Sequence, residues 1–403
     1  MKKSKLLILF IAILWAQFST AQTNPAVFPY VTFLNNQTTS AKDYILDLFK
    51  THDIVIICER MHPEFTQYEL LTDVISDRRF INEVGNVFTE VGVSTLNPSL
   101  NSFLHTKNLS KAEQGKQILN FRRDLMWSVI WDPSNYTFLL QSIYNLNNKL
   151  ASKDAVNLYP SDIPFEWKKA DSAYYKNYVL PLIKDRDSII ASQIIRQFDA
   201  IKTSTSLHKK ALVILNYRHA FNNNFYTRDG KQIKNAALYL FRQYGGKTAN
   251  VLLNCSNFDV KDNPVLLQQG KWDASFAEAG NKSVGFNFTN TPFGKDSFDL
   301  WTPGNAGFTY QDVFTGFAFY KPIEEQKLIR GTSGFLDSAY LDEFFRRFRL
   351  MRYIPTNMRQ FTEEEIAKLK SNPNDLERDL NQQKEQPLQG LDSLIKMRNQ
   401  WLR

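Results

Sequence analysis

The run Asp53-Ile54-Val55-Ile56-Ile57-Cys58-Glu59-Arg60-Met61-His62 decides the fold class. Its consecutive Ile and Val residues predict a strand that is buried on both faces, as in a parallel sheet. Parallel sheets carry their functional residues just beyond the carboxyl ends of the strands. Here that end holds Glu59, Arg60 and His62, and Glu64 follows. The stretch therefore predicts an α/β fold with polar chemistry at one edge of its sheet.

Two later apolar runs end in the same way. Asn86-Val87-Phe88-Thr89-Glu90-Val91-Gly92 leads to Glu90, and Ala211-Leu212-Val213-Ile214-Leu215-Asn216-Tyr217-Arg218-His219 leads to His219. Between the first two strands, residues 63–76 have apolar positions at helical spacing, so this part reads as a β-α-β unit. Because the carboxyl ends of parallel strands meet at one edge, we expect Glu59, His62, Glu90 and His219 to form one site.

The rest of the chain predicts a mainly parallel central sheet flanked by helices, with helical insertions that form a cap and a helical C-terminal tail. The insertions are expected near 97–150 and 165–205, and residues 172–201 read as a helix with a pause at Pro181. We expect a single α/β domain over 22–335 and a charged helical extension over 336–403. Further strands are expected at 156–159, 249–254, 285–288 and 316–320.

The start of the chain has the pattern of a secretory signal peptide over residues 1–21. A basic start, Lys2 to Lys5, precedes the apolar run Leu6 to Trp15, which is far shorter than the ~20 residues that a membrane span needs. Small residues before Gln22 offer a cleavage site. We expect the mature protein to be secreted or periplasmic and soluble, without stable membrane insertion.

The charge distribution argues against one class of partner, and the two cysteines leave a disulfide open. The formal charge is +8, and it falls to +5 without the three lysines of the signal peptide. Lys and Arg are scattered among acidic residues without a long basic run, so we expect no nucleic-acid partner. Cys58 and Cys255 each end an apolar run. In an exported protein they could form a disulfide, or they could remain buried free thiols.

The three strand ends resemble those of the erythromycin-esterase-like superfamily, which also includes relatives of the Tiki proteases and of bacterial haem-uptake lipoproteins. The resemblance covers roughly residues 53–322. It rests on Glu59-x-x-His62, on Thr89-Glu90-x-Gly92 and on Asn216-x-x-His219-Ala220. The chain departs from the pattern three times. Cys58 stands where a Gly is usual, Asn216 stands where a first His is common, and a basic residue that is common in the helix after the first motif has no clear counterpart.

This resemblance implies an exported hydrolase that attacks an ester, lactone or amide of a small-molecule or peptide substrate with an activated water. His62 is the expected base, oriented by Glu59 or Glu90. A carboxylate that accepts a hydrogen bond from one ring nitrogen fixes the tautomer and raises the basicity of the other nitrogen. Such a His can deprotonate water near neutral pH. His219 could then donate to the developing oxyanion.

Five further polar residues are candidates for substrate binding. Arg60 and Arg218 could clamp a carboxylate or phosphate, or they could simply be solvated. Asp162 matches a family position near the pocket, and it could equally be a turn or cap residue. Glu64 could face the pocket, and Asn216 stands at the end of its strand.

Two other functions are left open by the same residues. Histidines and carboxylates also suit Zn, Mn or Fe, so Glu59, His62, Glu90 and His219 are the candidate ligands if a single divalent metal is bound. The haem-uptake relatives make haem a further candidate cofactor, with Tyr217 beside His219 as a candidate axial ligand. A degenerate, non-catalytic member is the remaining alternative. No Gly-x-Ser-x-Gly elbow, phosphate loop or dinucleotide fingerprint occurs, so serine-nucleophile and nucleotide chemistry are disfavoured.

Overall fold

The computed structural model describes residues 24–129, 134–226, 231–259, 261–300, 307–351, 362–371 and 380–402. The predicted signal peptide, residues 1–21, lies outside these ranges. Among the described helices, none is both long enough and apolar enough to cross a membrane.

The centre of the fold is a seven-stranded, mainly parallel sheet. The strands of the protein are β1 Ile54–Glu59, β2 Asn86–Val93, β3 Asn157–Asp162, β4 Ala211–Asn216, β5 Phe225–Tyr226, β6 Gln232–Ile233, β7 Thr248–Leu253, β8 Ser256–Phe258, β9 Pro264–Leu266, β10 Val284–Asn287, β11 Gly316–Phe319, β12 Lys327–Arg330 and β13 Lys384–Pro387. The central sheet has the order β10-β11-β7-β1-β4-β2-β3. Its neighbouring strands pair in parallel except β10 and β11, which are antiparallel. The predicted fold class is confirmed.

Helices cover both faces of this sheet. They span Phe28–Asn35, Ala41–Leu48, Thr66–Ile75, Arg78–Glu83, Asn97–His105, Lys111–Asp124, Ser134–Lys149, Ser172–Tyr174, Leu180–Lys184, Arg186–Thr203, Ala236–Tyr244, Lys271–Glu278, Pro292–Lys295, Tyr310–Val313, Leu341–Leu350, Glu363–Ser371 and Leu391–Asn399. Alternate side chains of β1 enter two separate apolar clusters, because Val55 and Ile57 lie on one face while Ile54 and Ile56 lie on the other. Burial of each such side chain contributes about 1.5–3 kcal/mol, which explains why β1 is an unbroken apolar run.

The sheet order brings the three chemically interesting strand ends together. β4 lies between β1 and β2 and pairs with both. Glu59 stands opposite Asn216, and Thr89 stands opposite Ile214. Glu90 therefore reaches the same edge of the sheet as the residues that follow β1 and β4, as the strand pattern predicted.

The second helical insertion is irregular near Pro181, as predicted, and it breaks again four residues later. Tyr175–Val179, just before the helix Leu180–Lys184 that contains Pro181, is a π-helix. The helix then ends at Asp185, whose backbone leaves the helical region at φ −112° and ψ 23°. A new helix begins at Arg186. The charged residues at its start are therefore free to point into the sheet edge rather than along a continuous helix.

The C-terminal region is helical, as predicted, and it also contributes a strand that the sequence did not reveal. β13 pairs antiparallel with β12. Its polar sequence has little strand propensity, so no pattern marks it. The N–H of Phe65 donates to the carbonyl of Lys327 at 2.7 Å, and the N–H of Ile329 donates to the carbonyl of Pro63 at 2.9 Å. This small sheet therefore supports the loop that follows β1.

The two cysteines are free and buried. Burial raises the pKa of both thiols, and the proximity of Cys255 adds to the shift of Cys58. Of the two alternatives left open by the sequence, the structure has the buried free thiols.

Candidate active site

A first histidine–carboxylate pair lies at the end of β1. Nδ1 of His62 is 2.8 Å from Oε2 of Glu59. The other carboxylate oxygen of Glu59 accepts a hydrogen bond of 2.7 Å from the hydroxyl of Tyr68. Glu59 is only 1% exposed, so both of its oxygens are fixed inside the protein. Because a carboxylate oxygen accepts, Nδ1 of His62 carries the hydrogen, and Nε2 is the ring nitrogen that faces away from Glu59.

A second pair lies beyond the end of β4. Nδ1 of His219 is 2.7 Å from Oδ1 of Asp187, the second residue of the helix Arg186–Thr203. The same oxygen accepts a hydrogen bond of 2.9 Å from the backbone N–H of Ala236. As with His62, the carboxylate oxygen accepts from Nδ1, so Nδ1 of His219 carries the hydrogen. Nε2 points away from Asp187.

Glu90, from β2, stands between the two rings. Its Oε1 lies 3.6 Å from Nε2 of His62 and 3.8 Å from Nε2 of His219. Its Oε2 accepts a hydrogen bond of 2.7 Å from the backbone N–H of Asn216 on β4. Glu90 is fully buried, and Oε1 has no hydrogen-bond partner among the described residues. Two imidazoles from different strands thus face one carboxylate oxygen.

Arg186 brings a permanent positive charge to the same point. Its Nη2 is 3.6 Å from Oε1 of Glu90, and its Nη1 is 3.4 Å from Nε2 of His219. Its Nε and Nη2 donate to the two oxygens of Asp162 at 2.9 and 3.0 Å, a bidentate pair of fixed geometry. The indole N–H of Trp127 also donates to Asp162, at 2.9 Å. Asp162 therefore positions Arg186.

The charged groups in this cluster shift one another's pKa values. Burial raises the pKa of Glu90, but the positive charges of His219, Arg186 and His62 outweigh burial and lower it. Burial lowers the pKa of His62, but Glu59 and Glu90 outweigh burial and raise it to about 9. His219 shows the same balance, with Glu90 and Asp187 raising its pKa. Glu59 and Glu90 therefore favour the protonated form of His62 over the neutral form, and the role of His62 as a base stays a prediction. The physical reason is that two carboxylates, rather than one, act on the ring.

Arg60 and Glu64, two predicted substrate contacts, are engaged inside the protein. Arg60 is 2% exposed, and its guanidinium donates to Glu64 at 3.0 Å and to Asn254 at 2.6 Å. Glu64 accepts backbone hydrogen bonds from Thr66 and Gln67, so it caps the helix that follows. Arg60 is thus neither solvated nor placed to clamp a substrate. Both residues fix the loop that carries His62.

The other three predicted contacts are split between interior and surface. Asp162 is fully buried and bonded to Arg186. Asn216 is 8% exposed, and its amide donates to the carbonyl of Arg60 at 2.8 Å, which joins the ends of β1 and β4. Arg218 is exposed, and its Nε donates to the hydroxyl of Tyr217 at 3.3 Å. A substrate contact by Arg218 stays a prediction.

Sequence reasoning missed Arg186, Asp187 and Tyr68. Arg186 and Asp187 fall inside a stretch that reads as one continuous helix, where two adjacent charges look like a solvated surface. The usable signal was Lys184-Asp185-Arg186-Asp187, four charged residues in a row, which is unusual in the middle of an amphipathic helix. Tyr68 lies at an apolar helical position, and its hydroxyl function could not be separated from simple burial.

A bound divalent metal stays a prediction. The part of the chain that the structure describes contains no group of three or more His, Cys, Asp or Glu side chains able to hold an ion. Glu59 has both oxygens engaged by His62 and Tyr68. The guanidinium of Arg186 lies 3.4 Å from the nitrogen of His219 that would have to bind the metal, and its charge opposes a cation there. No step is therefore assigned to a metal.

Haem ligation also stays a prediction. Tyr217, the candidate axial ligand, is 4% exposed, and its hydroxyl donates to Asn257 at 2.7 Å.

Comparisons with known proteins give structural likeness only. No protein-family model matches this chain, and no curated protein matches it in sequence. A Bacillus cereus protein of known crystal structure is 10% identical with a TM-score of 0.45, over 73% of this chain and 97% of that one. A mutant of the erythromycin esterase EreC in its open conformation is 8% identical with a TM-score of 0.44, over 74% and 96%. A succinoglycan biosynthesis protein is 8% identical with a TM-score of 0.43, over 68% and 89%. At TM-scores below 0.5, these likenesses assign no residue role and no substrate.

Proposed function

We propose that this protein is a hydrolase that uses a histidine-activated water on an ester, lactone or amide. The observation that carries the proposal is the convergence of two carboxylate-oriented imidazoles, His62 and His219, on one buried oxygen of Glu90. Each ring has its far nitrogen held at 2.7–2.8 Å, so each near nitrogen is fixed in direction before a substrate arrives. Preorganised groups of this kind lower a barrier without reorganisation during the reaction.

The residues divide the work of hydrolysis as follows. Nε2 of neutral His62 takes a proton from a water whose oxygen attacks the acyl carbon, and Glu59 stabilises the imidazolium that forms. His219 and Arg186 stabilise the negative charge that develops on the acyl oxygen. The imidazolium of His62 then returns the proton to the leaving alcohol or amine as the acyl–oxygen or acyl–nitrogen bond breaks. Glu90 keeps the positive charges together.

The raised pKa of His62 fixes the expected pH profile. The base must be neutral, and with a pKa of about 9 the neutral fraction falls about tenfold for each pH unit below that value. The value of kcat/KM should therefore rise from pH 6 to about pH 9 and then level off. A role for His62 as the essential acid would give the opposite profile, with activity falling through the same range.

The test is a substrate panel assayed with a matched pair of His variants. Nitrophenyl esters, small and macrocyclic lactones and a nitroanilide are incubated with the protein, with His62→Ala and with His105→Ala. His105 is an exposed histidine at the end of the helix Asn97–His105, outside the site, so its removal should leave activity unchanged. We expect His62→Ala to lower kcat/KM about 10²–10⁴-fold on every cleaved substrate.

Two results would overturn the proposal. One is hydrolysis that is unaffected by His62→Ala. The other is the absence of turnover for every ester, lactone and amide tested across pH 6–10.

A further inference from the structure

A groove separate from the histidine site lies between the helices Lys111–Asp124 and Ser134–Lys149. Its volume is about 650 Å³, which is in the range of ligand-binding clefts. One end is closed by Gly331, Thr332 and Ser333, which follow β12, and by Gln383, which precedes β13. None of these lining residues belongs to the site described above.

The groove has an unusual chemistry. Hydroxyl and carboxamide side chains form most of its lining, namely Gln114, Ser134, Thr137, Gln141, Asn145, Thr332, Ser333 and Gln383. Ile118, Leu119 and Phe138 add apolar surface. Among the described residues of the lining, Lys111 is the charged one and none is acidic. Carboxamides and hydroxyls can each donate and accept, so such a wall matches a ligand that does both in many directions. The apolar surface suits C–H faces.

Gly115 is an independent observation that favours an open groove. It lies inside the helix Lys111–Asp124, where a Gly destabilises the helix relative to Ala. Its φ is in the ordinary helical range, and a Cβ built on it would meet no atom within 4 Å. Neither backbone strain nor a close neighbour therefore requires a Gly at this position. A larger side chain at position 115 would project into the groove and fill part of it.

Thr137 adds a polar group without an internal partner. Its side chain is partly exposed at the groove, but its hydroxyl oxygen is turned inward and has no hydrogen-bond partner among the described residues, so a rotation about χ1 is needed to present it to a ligand. A buried polar atom of this kind costs free energy unless something bonds to it. By contrast, Gln114 and Asn145 bond to each other across the two helices at 3.2 Å, which holds the groove at a fixed width.

We propose that this groove binds a neutral carbohydrate chain. A sugar ring presents hydroxyls around its rim and C–H groups on its faces, and the groove offers partners for both. An extended peptide binds mainly through main-chain hydrogen bonds to a strand edge. Ten of the fourteen described lining residues stand on the two helices rather than beside a strand, and this favours the sugar. The binding is independent of the hydrolysis proposed above and of the residues that carry it.

The test is direct binding with defined probes and two substitutions at one position. Maltohexaose, cellohexaose, N-acetyl-chitohexaose and a neutral Ala/Ser hexapeptide are titrated into the full chain by calorimetry. We expect at least one sugar to bind with a Kd of about 1 mM or tighter. Gly115→Trp, which fills the groove, should abolish that binding, and Gly115→Ala, which adds only a methyl group, should retain it. Thermal unfolding confirms that each variant folds.

A second variant keeps the test decisive if Gly115→Trp does not fold. Gln141 has an exposed side chain on the groove wall, and Gln141→Ala should weaken sugar binding several-fold through the loss of a hydrogen bond. The proposal is overturned if no sugar binds, if only the peptide binds, or if a bound sugar is unaffected by both Gly115→Trp and Gln141→Ala.

Discussion

The two histidine–carboxylate pairs look alike in geometry and differ in origin. Glu59 and His62 are three positions apart, so one strand end and its following loop make the whole pair. His219 and Asp187 are 32 positions apart, and they meet only because the helix Arg186–Thr203 begins where β4 ends. The first pair is formed by residues close together in the sequence, while the second pair depends on the docking of a helical insertion.

Their environments also differ. The side chain of Glu59 is 1% exposed and that of Asp187 is 26% exposed, while the two rings are similarly accessible at 29% and 22%. A buried partner acts on its histidine with little screening, whereas water weakens the influence of Asp187. The comparison teaches that the first pair sets the proton affinity of the site. The second pair mainly orients the ring of His219.

The largest expected effect comes from Glu90→Gln, which removes the charge that both pairs share. The pKa of His62 and of His219 should both fall, because Glu90 raises each of them. The positive groups then lose their common partner, and kcat/KM on a cleaved substrate should drop about 10²–10⁴-fold. Kinetics and histidine NMR titrations measure the two effects.

Glu83→Gln is the matched control, because Glu83 is an exposed carboxylate outside the site. The arrangement would be refuted if Glu90→Gln changed the pKa of only one of the two histidines and left the pKa of the other unchanged. Glu90 would then not act on both rings.

Removing the charge of Glu59 or of Asp187 should have a smaller effect than Glu90→Gln, and the two effects should be unequal. Glu59→Gln should lower the pKa of His62 from about 9 and shift the rising limb of the pH–rate profile to lower pH, with a lower plateau. Asp187→Asn should lower the pKa of His219 and leave the limb assigned to His62 nearly in place. The loss of kcat/KM should be greater for Glu59→Gln. Equal shifts of both limbs in both variants would show that the pairs are not distinct.

The smallest effect is on stability, and its sign follows from the raised pKa of His62. The folded protein binds this proton more tightly than the unfolded chain, whose His has a pKa of about 6.5. The stabilisation is therefore fully present below about pH 6.5 and is lost as the pH rises to about 9. Because the ring is 29% exposed, we expect a contribution on the order of 1–3 kcal/mol.

Urea unfolding from pH 6 to pH 10 measures this stability term. The free energy of unfolding should decline between pH 6.5 and 9 in the native sequence, and the decline should be smaller in His62→Ala. If the free energy of unfolding declined equally in the native protein and in His62→Ala, His62 would not be the source of the pH dependence.

Much of the fold and part of the site could be predicted from the sequence. The unbroken apolar run of β1 could only be stable with both faces covered, so a parallel sheet followed from it. The placement of Glu59, His62, Glu90 and His219 at one edge followed from the same rule, because parallel strands end together. The polar strand β13 had no such signal, since its pairing with β12 depends on main-chain hydrogen bonds rather than on side-chain character.

By itself, the sequence determined the strands, the sheet edge and the pair Glu59–His62, because these depend on hydrophobic periodicity and on spacing along a few residues. Only the tertiary structure decided that Arg186 and Asp187 complete the site and that Arg60 and Glu64 are internal braces. It also decided that a second carboxylate, Glu90, lies near His62 and raises its pKa. The physical reason is that Coulomb interactions and hydrogen bonds depend on distances between segments far apart in the chain, and those distances exist only after the helices have packed on the sheet.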